Sequence, residues 1–208
     1  MQASRPAVEC EFAALDFESA GALRGATDVP VQVGWGVLRG GAVDPSASYR
    51  SYLRAERPVT WAARRTHGIS DADLEGAPRM LDLWPRFREA FRGRVMVAHG
   101  RGTEQRFLRA FPAHGFAPWV DTLQLARGAL PGLASYALAD VVAACGAEER
   151  LRALCPAHDW HDALFDALAC LVVIERVLAD FPGLPLGALL EPDASAHYRR
   201  TRPRQGPG

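Results

Sequence analysis

The sequence predicts one α/β domain in which a mixed β-sheet is flanked by helices. The chain has 208 residues, of which 49% are hydrophobic, enough for a single substantial core. Strand-type segments dominate residues 12–54, whereas residues 79–181 alternate between helical and short strand-type segments. A run of strands followed by alternating helices and strands predicts a sheet with both antiparallel and parallel pairs.

Three strands are predicted in the first part of the chain. The segments 12–18, 29–38 and 48–54 are rich in residues that favour strands. The turn-rich stretch Arg39-Gly40-Gly41-Ala42 separates the second strand from the third. An antiparallel meander is the simplest connection of the three.

The alternating part of the fold begins near residue 79. Apolar residues recur at helical spacing over residues 79–91, and residues 95–98 form a short strand of the buried type. The later predicted elements are a helix at 107–111, a strand at 119–120, a helix at 136–145 and a long apolar helix at 162–181.

Asp16 and Glu18 stand at the end of the first strand. Side chains alternate along a strand, so both carboxylates project from the same face. Two buried carboxylates are unfavourable without a partner, and a divalent cation neutralises such a pair directly. The pair therefore indicates the beginning of a hard-metal site.

Two later segments carry an imidazole followed five residues later by an acid. His99 and Glu104 come after the strand at 95–98, and His161 and Asp166 open the last helix. Asp166 lies in a stretch that is otherwise apolar on nearly every side, so its carboxylate also needs a partner.

The order and spacing of these motifs resemble those of the DEDDh exonucleases, the group that contains the proofreading subunit of bacterial DNA polymerase III and ribonuclease T. The resemblance spans roughly residues 9–180 and implies a ribonuclease H-like fold. The matching segments are Asp16-Phe17-Glu18, His99-Gly100-Arg101-Gly102-Thr103-Glu104, His161-Asp162-Ala163-Leu164-Phe165-Asp166, and the shorter Thr66-His67-Gly68-Ile69-Ser70 and Val120-Asp121-Thr122-Leu123.

The resemblance implies a metal-dependent 3′-to-5′ exonuclease with two Mg²⁺ or Mn²⁺ ions, which stabilise the attacking and leaving oxygens. By the family pattern, Asp16 bridges both ions, and Glu18 and Asp166 complete the site of the ion that activates water. Glu104 holds the second ion, directly or through water. His161 takes the proton of the attacking water, a role that suits an imidazole near neutral pH.

Glu104 departs from the family pattern, which has Asp at this position. The extra methylene moves the carboxylate by about 1.5 Å if the backbone stays in place. A water-mediated ligand accommodates that shift. The other interpretation is that Glu104 favours the dipole of a helix that begins near Thr103.

Leu23 and Trp160 are the candidate substrate contacts. Residues 19–23 replace the segment with which the family contacts the terminal nucleotide, and Leu23 is expected either to wedge against the last base or to pack locally. Trp160 neighbours His161, which makes it the preferred stacking surface, with Trp61 and Trp119 as further candidates.

Tyr136 and Asp140 offer a competing last motif, because a sister group of exonucleases has Tyr four residues before the final Asp. We prefer His161 and Asp166, since residues 136–145 form an ordinary amphipathic helix with Asp140 on its polar side.

Several neighbouring groups are interpreted as structural. His67 and His158 are expected to be loop residues. Asp159 and Asp162 are expected to be caps or first-turn acids of the last helix.

The charge balance restricts the partners. The formal net charge is zero, and all 24 basic residues are Arg. This argues against a strongly electrostatic nucleic-acid coat but allows a local basic rim around an acidic cleft. The resemblance to the exonucleases implies a substrate at the 3′ end of single-stranded or frayed DNA, in preference to RNA, with a polymerase or repair protein as a candidate partner.

Three alternative functions remain at this point. The first is a small exoribonuclease, because recognition of the 2′-hydroxyl depends on details of the pocket. The second is a catalytically weakened nucleic-acid-binding or scaffold protein of the same fold. The third is a nucleotide-binding protein in which Gly100-Arg101-Gly102-Thr103 cradles phosphate, a pattern of low specificity.

The exonuclease domain is expected to span residues 9–190, between an N-terminal extension at 1–8 and a disordered tail at 191–208. No signal peptide and no membrane-spanning segment is recognisable, which predicts a cytoplasmic protein. Four cysteines without paired spacing are expected to be reduced: Cys10, Cys145, Cys155 and Cys170.

Overall fold

The computed structural model describes residues 3–192, which form a five-stranded sheet with helices on both faces. The strand order is β3-β2-β1-β4-β5. Pairing is antiparallel between β1 and β2 and between β2 and β3, and parallel between β1 and β4 and between β4 and β5. The strands are β1 (Phe12–Ser19), β2 (Pro30–Arg39), β3 (Ala42–Tyr52), β4 (Val95–Ala98) and β5 (Trp119–Asp121).

Eight α-helices accompany the sheet in the described part of the chain. Because the helices follow parallel strands in the second half, they cover the sheet as the sequence pattern predicts. They are α1 (Trp61–His67), α2 (Trp84–Phe91), α3 (Gly102–Leu108), α4 (Thr122–Ala129), α5 (Leu138–Ala144), α6 (Glu148–Leu154), α7 (Ala163–Asp180) and α8 (Leu186–Leu190). The predicted mixed sheet flanked by helices is confirmed.

The two faces of β1 contact different cores. Phe12 and Ala14 pack in the cluster that contains most of α7, whereas Leu15 and Phe17 pack in an aromatic cluster with Phe87 of α2. Asp16 shares the face of Ala14 because side chains alternate along the strand. The acid at position 16 therefore points toward α7.

Two predicted helices are shorter in the structure. The helix expected at 79–91 is a 3-10 turn at Met80–Leu83 followed by α2, because Pro85 has no backbone N–H to continue a helix from the preceding turn. The helix expected at 136–145 begins at Leu138. Tyr136 lies outside it, and its hydroxyl donates to Leu130 O at 3.1 Å.

The residues before β1 pack against the end of the domain. Ala7 is buried, and its N–H donates to Leu184 O at 2.7 Å. The tail predicted at 191–208 falls outside the described residues from position 193 onward. None of the described helices has both the length and the apolar character that crossing a bilayer requires.

Candidate active site

Four carboxylates approach one edge of the sheet from three elements. Asp16 and Glu18 lie near the end of β1, and the parallel strand β4 ends at the same edge. Glu104 lies in the first turn of α3, which follows β4, and Asp166 lies in the first turn of α7. The fold therefore brings together acids that are separated by up to 150 residues along the chain, from Asp16 to Asp166.

Glu18, His161 and Asp166 form the tightest part of this arrangement. One ligand atom of each lies within 4.8 Å of the others. The backbone N–H of His161 donates to Asp166 Oδ2 at 3.3 Å, and His161 adopts a left-handed conformation with φ of 67°. This turn places an exposed imidazole beside the carboxylates at the mouth of α7. The sequence predicted that these three residues would meet.

Asp16 and Glu18 carry strongly perturbed carboxyl groups. Burial raises the pKa of Asp16 well above its usual range, and the negative charges of Asp166, Glu104 and Glu18 raise it further. Burial raises the pKa of Glu18 to about 8, with further contributions from Asp166, Asp162 and Glu104. These shifts indicate four acids close enough to repel one another when ionised.

Glu104 and Asp166 each have a buried oxygen, Oε2 and Oδ1 respectively, that finds no hydrogen-bond partner among residues 3–192. Burial is the main cause that raises the pKa of each group to about 7. Glu104 is only 4% exposed, so its carboxylate is directed inward and not toward solvent as a simple dipole-favouring acid would be. Unpartnered carboxylate oxygens in a repulsive cluster fit divalent cations.

A polar network holds the first turn of α7 against the sheet. Asp162 is the N-cap, and its Oδ1 accepts from Leu164 N at 3.1 Å. Its Oδ2 accepts from Gln32 Nε2 at 3.1 Å and from Arg50 Nε at 2.6 Å. Gln32 Oε1 in turn accepts from Ala163 N at 2.7 Å. The sequence interpretation of Asp162 as a cap is confirmed.

Gln32 and Arg50 were not identified from the sequence. Gln32 is 1% exposed and lies among apolar residues in the buried part of β2, and such a buried amide needs partners. The polar residue between Val31 and Val33 was the available signal. For Arg50 in β3, the sequence contained no comparable signal.

The other histidines of the motifs have structural partners. His99 Nε2 lies 2.9 Å from Tyr136 O, and its Nδ1 lies 3.0 Å from Thr122 Oγ1. His67 Nε2 lies 3.0 Å from Ser19 O, which links the end of α1 to the end of β1. His67 therefore has the structural role predicted for it, although it stands close to the site.

Leu23 is 50% exposed in a turn closed by a hydrogen bond from Ala26 N to Leu23 O at 3.1 Å. Arg57 fixes the base of this turn: its guanidinium donates to Gly21 O and to Asp28 Oδ1. Leu23 thus does not pack in the core and is held outward.

The three tryptophans considered as stacking surfaces differ in environment. Trp119 is 8% exposed and donates its indole N–H to Phe116 O, so it is a core residue. Trp160 is half-buried and packs edge-on against Phe165 with ring centroids 5.0 Å apart. Trp61 is 72% exposed. The structure favours Trp61 as the most accessible aromatic surface of the three.

Two competing interpretations of the motifs find no support in the geometry. Asp140 is exposed on α5 and does not belong to the group of possible ligands found within residues 3–192. At the glycine-rich loop, Gly100 N donates to Asp121 Oδ1 at 2.9 Å. The carboxylate of Asp121 thus accepts from the backbone N–H that a phosphate-binding loop would use to bind phosphate.

A family model described as an exonuclease matches residues 13–174. The match includes all four acids and His161, and it covers most of the chain. The chain therefore belongs to this exonuclease family, and the predicted membership among the DnaQ-like 3′-to-5′ exonucleases is confirmed at the level of the family.

Curated relatives include polymerase proteins. The chain is 28% identical over 143 residues to DNA polymerase III PolC-type of Thermotoga maritima, a match that covers 66% of this chain and 10% of that protein. It is 26% identical to a DNA polymerase III subunit epsilon-like protein of Rhodobacter capsulatus, covering 85% of this chain and 25% of that one. The chain thus spans about a tenth to a quarter of the length of these relatives.

Solved structures share the fold at low identity. Exonuclease X in complex with 5′-overhanging duplex DNA has 21% identity and a TM-score of 0.65, covering 86% of this chain and 99% of that one. The nuclease domain of 3′hExo, a DEDDh family member bound to rAMP, has 13% identity and a TM-score of 0.68, covering 84% and 94%. These likenesses support the ribonuclease H-like fold.

Proposed function

We propose that the protein is a metal-dependent exonuclease that hydrolyses the terminal phosphodiester bond at the 3′ end of single-stranded or frayed DNA. The meeting of Glu18, His161 and Asp166 within 4.8 Å, next to the half-buried Asp16 and the buried Glu104, is the observation that carries the proposal. An imidazole at the mouth of a repulsive carboxylate cluster suits the hydrolysis of an anionic ester, provided that cations balance the charge.

The four carboxylates Asp16, Glu18, Glu104 and Asp166 would hold two divalent cations, Mg²⁺ or Mn²⁺. Hard cations prefer oxygen ligands, and the unpartnered oxygens of Glu104 and Asp166 fit this role. When bound, the cations supply the charge that stabilises the attacking and leaving oxygens.

His161 would act as the general base. Its backbone is tied to Asp166, which keeps the ring near the acids, while its exposure allows exchange of protons with solvent. The ring accepts a proton from the attacking water as the bond from that oxygen to phosphorus forms and the bond from phosphorus to the 3′ oxygen of the preceding nucleotide breaks. The departing 3′ oxygen takes a proton from solvent, and the ring releases its own proton to bulk water.

Leu23 and Trp160 would contact the terminal nucleotide. Leu23 is exposed in the turn whose base Arg57 holds by hydrogen bonds to Gly21 O and Asp28 Oδ1, and Trp160 directly precedes His161. We propose DNA in preference to RNA, since the curated relatives are DNA polymerase III proteins by name. A role beside a polymerase or a repair protein belongs to the same proposal.

Cleavage of 5′-labelled single-stranded oligonucleotides tests the proposal. Matched DNA and RNA strands are incubated with wild type and with the Asp16→Asn variant, in Mg²⁺, Mn²⁺ or EDTA. We expect a ladder that shortens from the 3′ end, that requires the cation, that is lost in the variant and that proceeds faster on DNA. Faster cleavage of RNA would instead establish an exoribonuclease.

The Asp140→Asn variant is the matched control. Asp140 is an exposed acid of α5, so its replacement should leave the ladder unchanged. Loss of cleavage in this variant would favour the competing Tyr136 and Asp140 motif. Binding without cleavage by folded wild-type protein, even in Mn²⁺, would overturn the proposal in favour of a nucleic-acid-binding protein of the same fold.

A further inference from the structure

Trp61 is the most exposed large hydrophobic residue among residues 3–192, with 72% of its surface accessible. It occupies the first position of α1, where Thr60 is the N-cap and accepts from Ala63 N. The helix is thus fixed by its own cap and does not need the indole for packing. A single exposed hydrophobic residue is ordinary on a protein surface, so Trp61 becomes a candidate binding residue only together with the charged residues around it.

Arg65 lies over the Trp61 ring, with its guanidinium carbon 4.8 Å from the ring centroid. This cation–π contact favours the observed orientation of the indole. Arg65 makes no ion pair within the described part of the chain, and α1 contains no acidic residue. Arg64 adds a second exposed positive charge. The outer surface of α1 therefore combines an aromatic plane with cations.

The helix is attached directly to the candidate active site. At its start, Thr60 N donates to Ala20 O at 2.8 Å, and at its end His67 Nε2 lies 3.0 Å from Ser19 O. Ser19 follows Glu18 in β1. Trp61 lies six residues before His67, which is about 9 Å along the helix axis. Trp61 directly follows Thr60, so the aromatic surface lies beside the segment that continues β1 past Glu18.

We propose that Trp61 and Arg65 form a stacking platform for a base of the DNA strand that leads away from the 3′-terminal nucleotide. The inference rests on the proposed exonuclease function and extends it to the upstream strand. Single-strand binders combine aromatic stacking with cations that follow the backbone, and the surface of α1 has both. Its positive charge complements a polyanion, whereas the acidic cluster alone would repel one.

The length dependence of cleavage tests the platform. The ratio of kcat/KM for a twelve-nucleotide oligothymidine to that for the dinucleotide is measured for wild type, Trp61→Ala, Trp61→Phe and Trp61→Leu. We expect Trp61→Ala to lower this ratio by about 5- to 100-fold, and Trp61→Phe to restore most of it, because every aromatic ring offers a face for stacking. Thermal unfolding confirms that each variant is folded.

Arginine variants supply the matched pair. Arg65→Ala should lower the salt dependence of binding by about one phosphate contact, whereas Arg92→Ala should not. Arg92 is exposed but precedes β4, so it lies at the opposite edge of the sheet from the acids. Equal effects of the two variants would overturn the role of Arg65.

Binding of the labelled twelve-nucleotide strand in the Asp16→Asn background separates this inference from the proposed function. Weaker binding on addition of Trp61→Ala would support the platform even if the wild type cleaved nothing. Cleavage by wild type with an unchanged length ratio in Trp61→Ala would overturn the platform and leave the exonuclease in place. Restoration by Trp61→Leu as complete as by Trp61→Phe would also overturn stacking on a base.

Discussion

Gly34 of β2 lies directly opposite Asp16 in the register of β1 and β2. A Cβ atom at Gly34 would overlap the backbone of Ala163 and Leu164, the first turn of α7. The missing side chain therefore allows α7 to begin against the sheet, and this approach places Asp166 beside Asp16. Gly34 does not have a positive φ, so glycine is required here by the close approach of α7 and hence by the assembly of the acidic cluster.

Replacement of Gly34 by Ala should separate α7 from β2 and disperse the acids. We expect a loss of more than about 3 kcal/mol in the free energy of unfolding, because backbone atoms cannot move aside as side chains do. Gly36→Ala is the control: its Cβ would lie 2.7 Å from Leu168 Cδ2, the flexible end of a side chain, and should cost less. Denaturant unfolding of both variants compares these losses. Equal losses would show that α7 does not depend on Gly34.

The meeting of Glu18, His161 and Asp166 could be predicted from the sequence. The order and spacing of the motifs place Glu18 at the end of a strand and the other two residues at the start of a helix. The sequence did not reveal Gly34 or Gln32, which act on the same site. Their partners lie about 130 residues away in α7, and nothing local requires those contacts. Pairwise packing between distant elements is the information that a single sequence does not display.

Stability without metal should fall as the pH rises. The folded-state pKa is raised to about 8 for Glu18 and to about 7 for Glu104 and Asp166. The unfolded chain loses these protons near its ordinary carboxyl pKa, so between about pH 4 and pH 8 the folded protein binds more protons than the unfolded chain. The free energy of unfolding measured in EDTA should therefore decrease through this window.

Glu18→Gln should flatten this decrease, whereas Asp140→Asn should not, because Asp140 is exposed. Mn²⁺ should have the opposite effect: it binds the deprotonated acids, so its stabilising effect grows as the pH rises. Urea unfolding at several pH values, with EDTA or Mn²⁺, measures both trends. An identical pH dependence in wild type and Glu18→Gln would contradict the coupling of the four acids.

Variants of Glu104 test whether this residue is a metal ligand or an acid that only interacts favourably with the helix dipole of α3. If it is a ligand, Glu104→Gln should raise the stability of the metal-free protein, because it removes one buried charge from a repulsive cluster. The same variant should reduce the thermal shift on addition of Mn²⁺, and Glu104→Asp should reduce it less, since the charge remains. Glu149→Gln, on the exposed surface of α6, is the control.

The dipole interpretation predicts the reverse for Glu104. Loss of a favourable acid from the first turn of α3 would destabilise the metal-free protein by up to about 1 kcal/mol and leave the Mn²⁺ shift unchanged. Differential scanning fluorimetry with and without Mn²⁺ separates the two results.

His161→Asn tests the general base with the least change of backbone. His161 has φ of 67°, and Asn tolerates this left-handed conformation better than most residues. Removing the imidazole should lower kcat by about 100- to 10,000-fold while KM changes little, because proton transfer is lost and the DNA contacts remain. His158→Asn, in the same loop, should retain most activity.

Mn²⁺ affinity decides between the two roles that the position of His161 permits. The imidazole lies within 4.8 Å of the ligand oxygens of Glu18 and Asp166, close enough to be a ligand itself. A general base leaves the affinity measured by calorimetry nearly unchanged in His161→Asn, since the carboxylates bind the cations. A parallel fall of Mn²⁺ affinity and kcat would instead identify His161 as a ligand, and another group would then have to accept the proton.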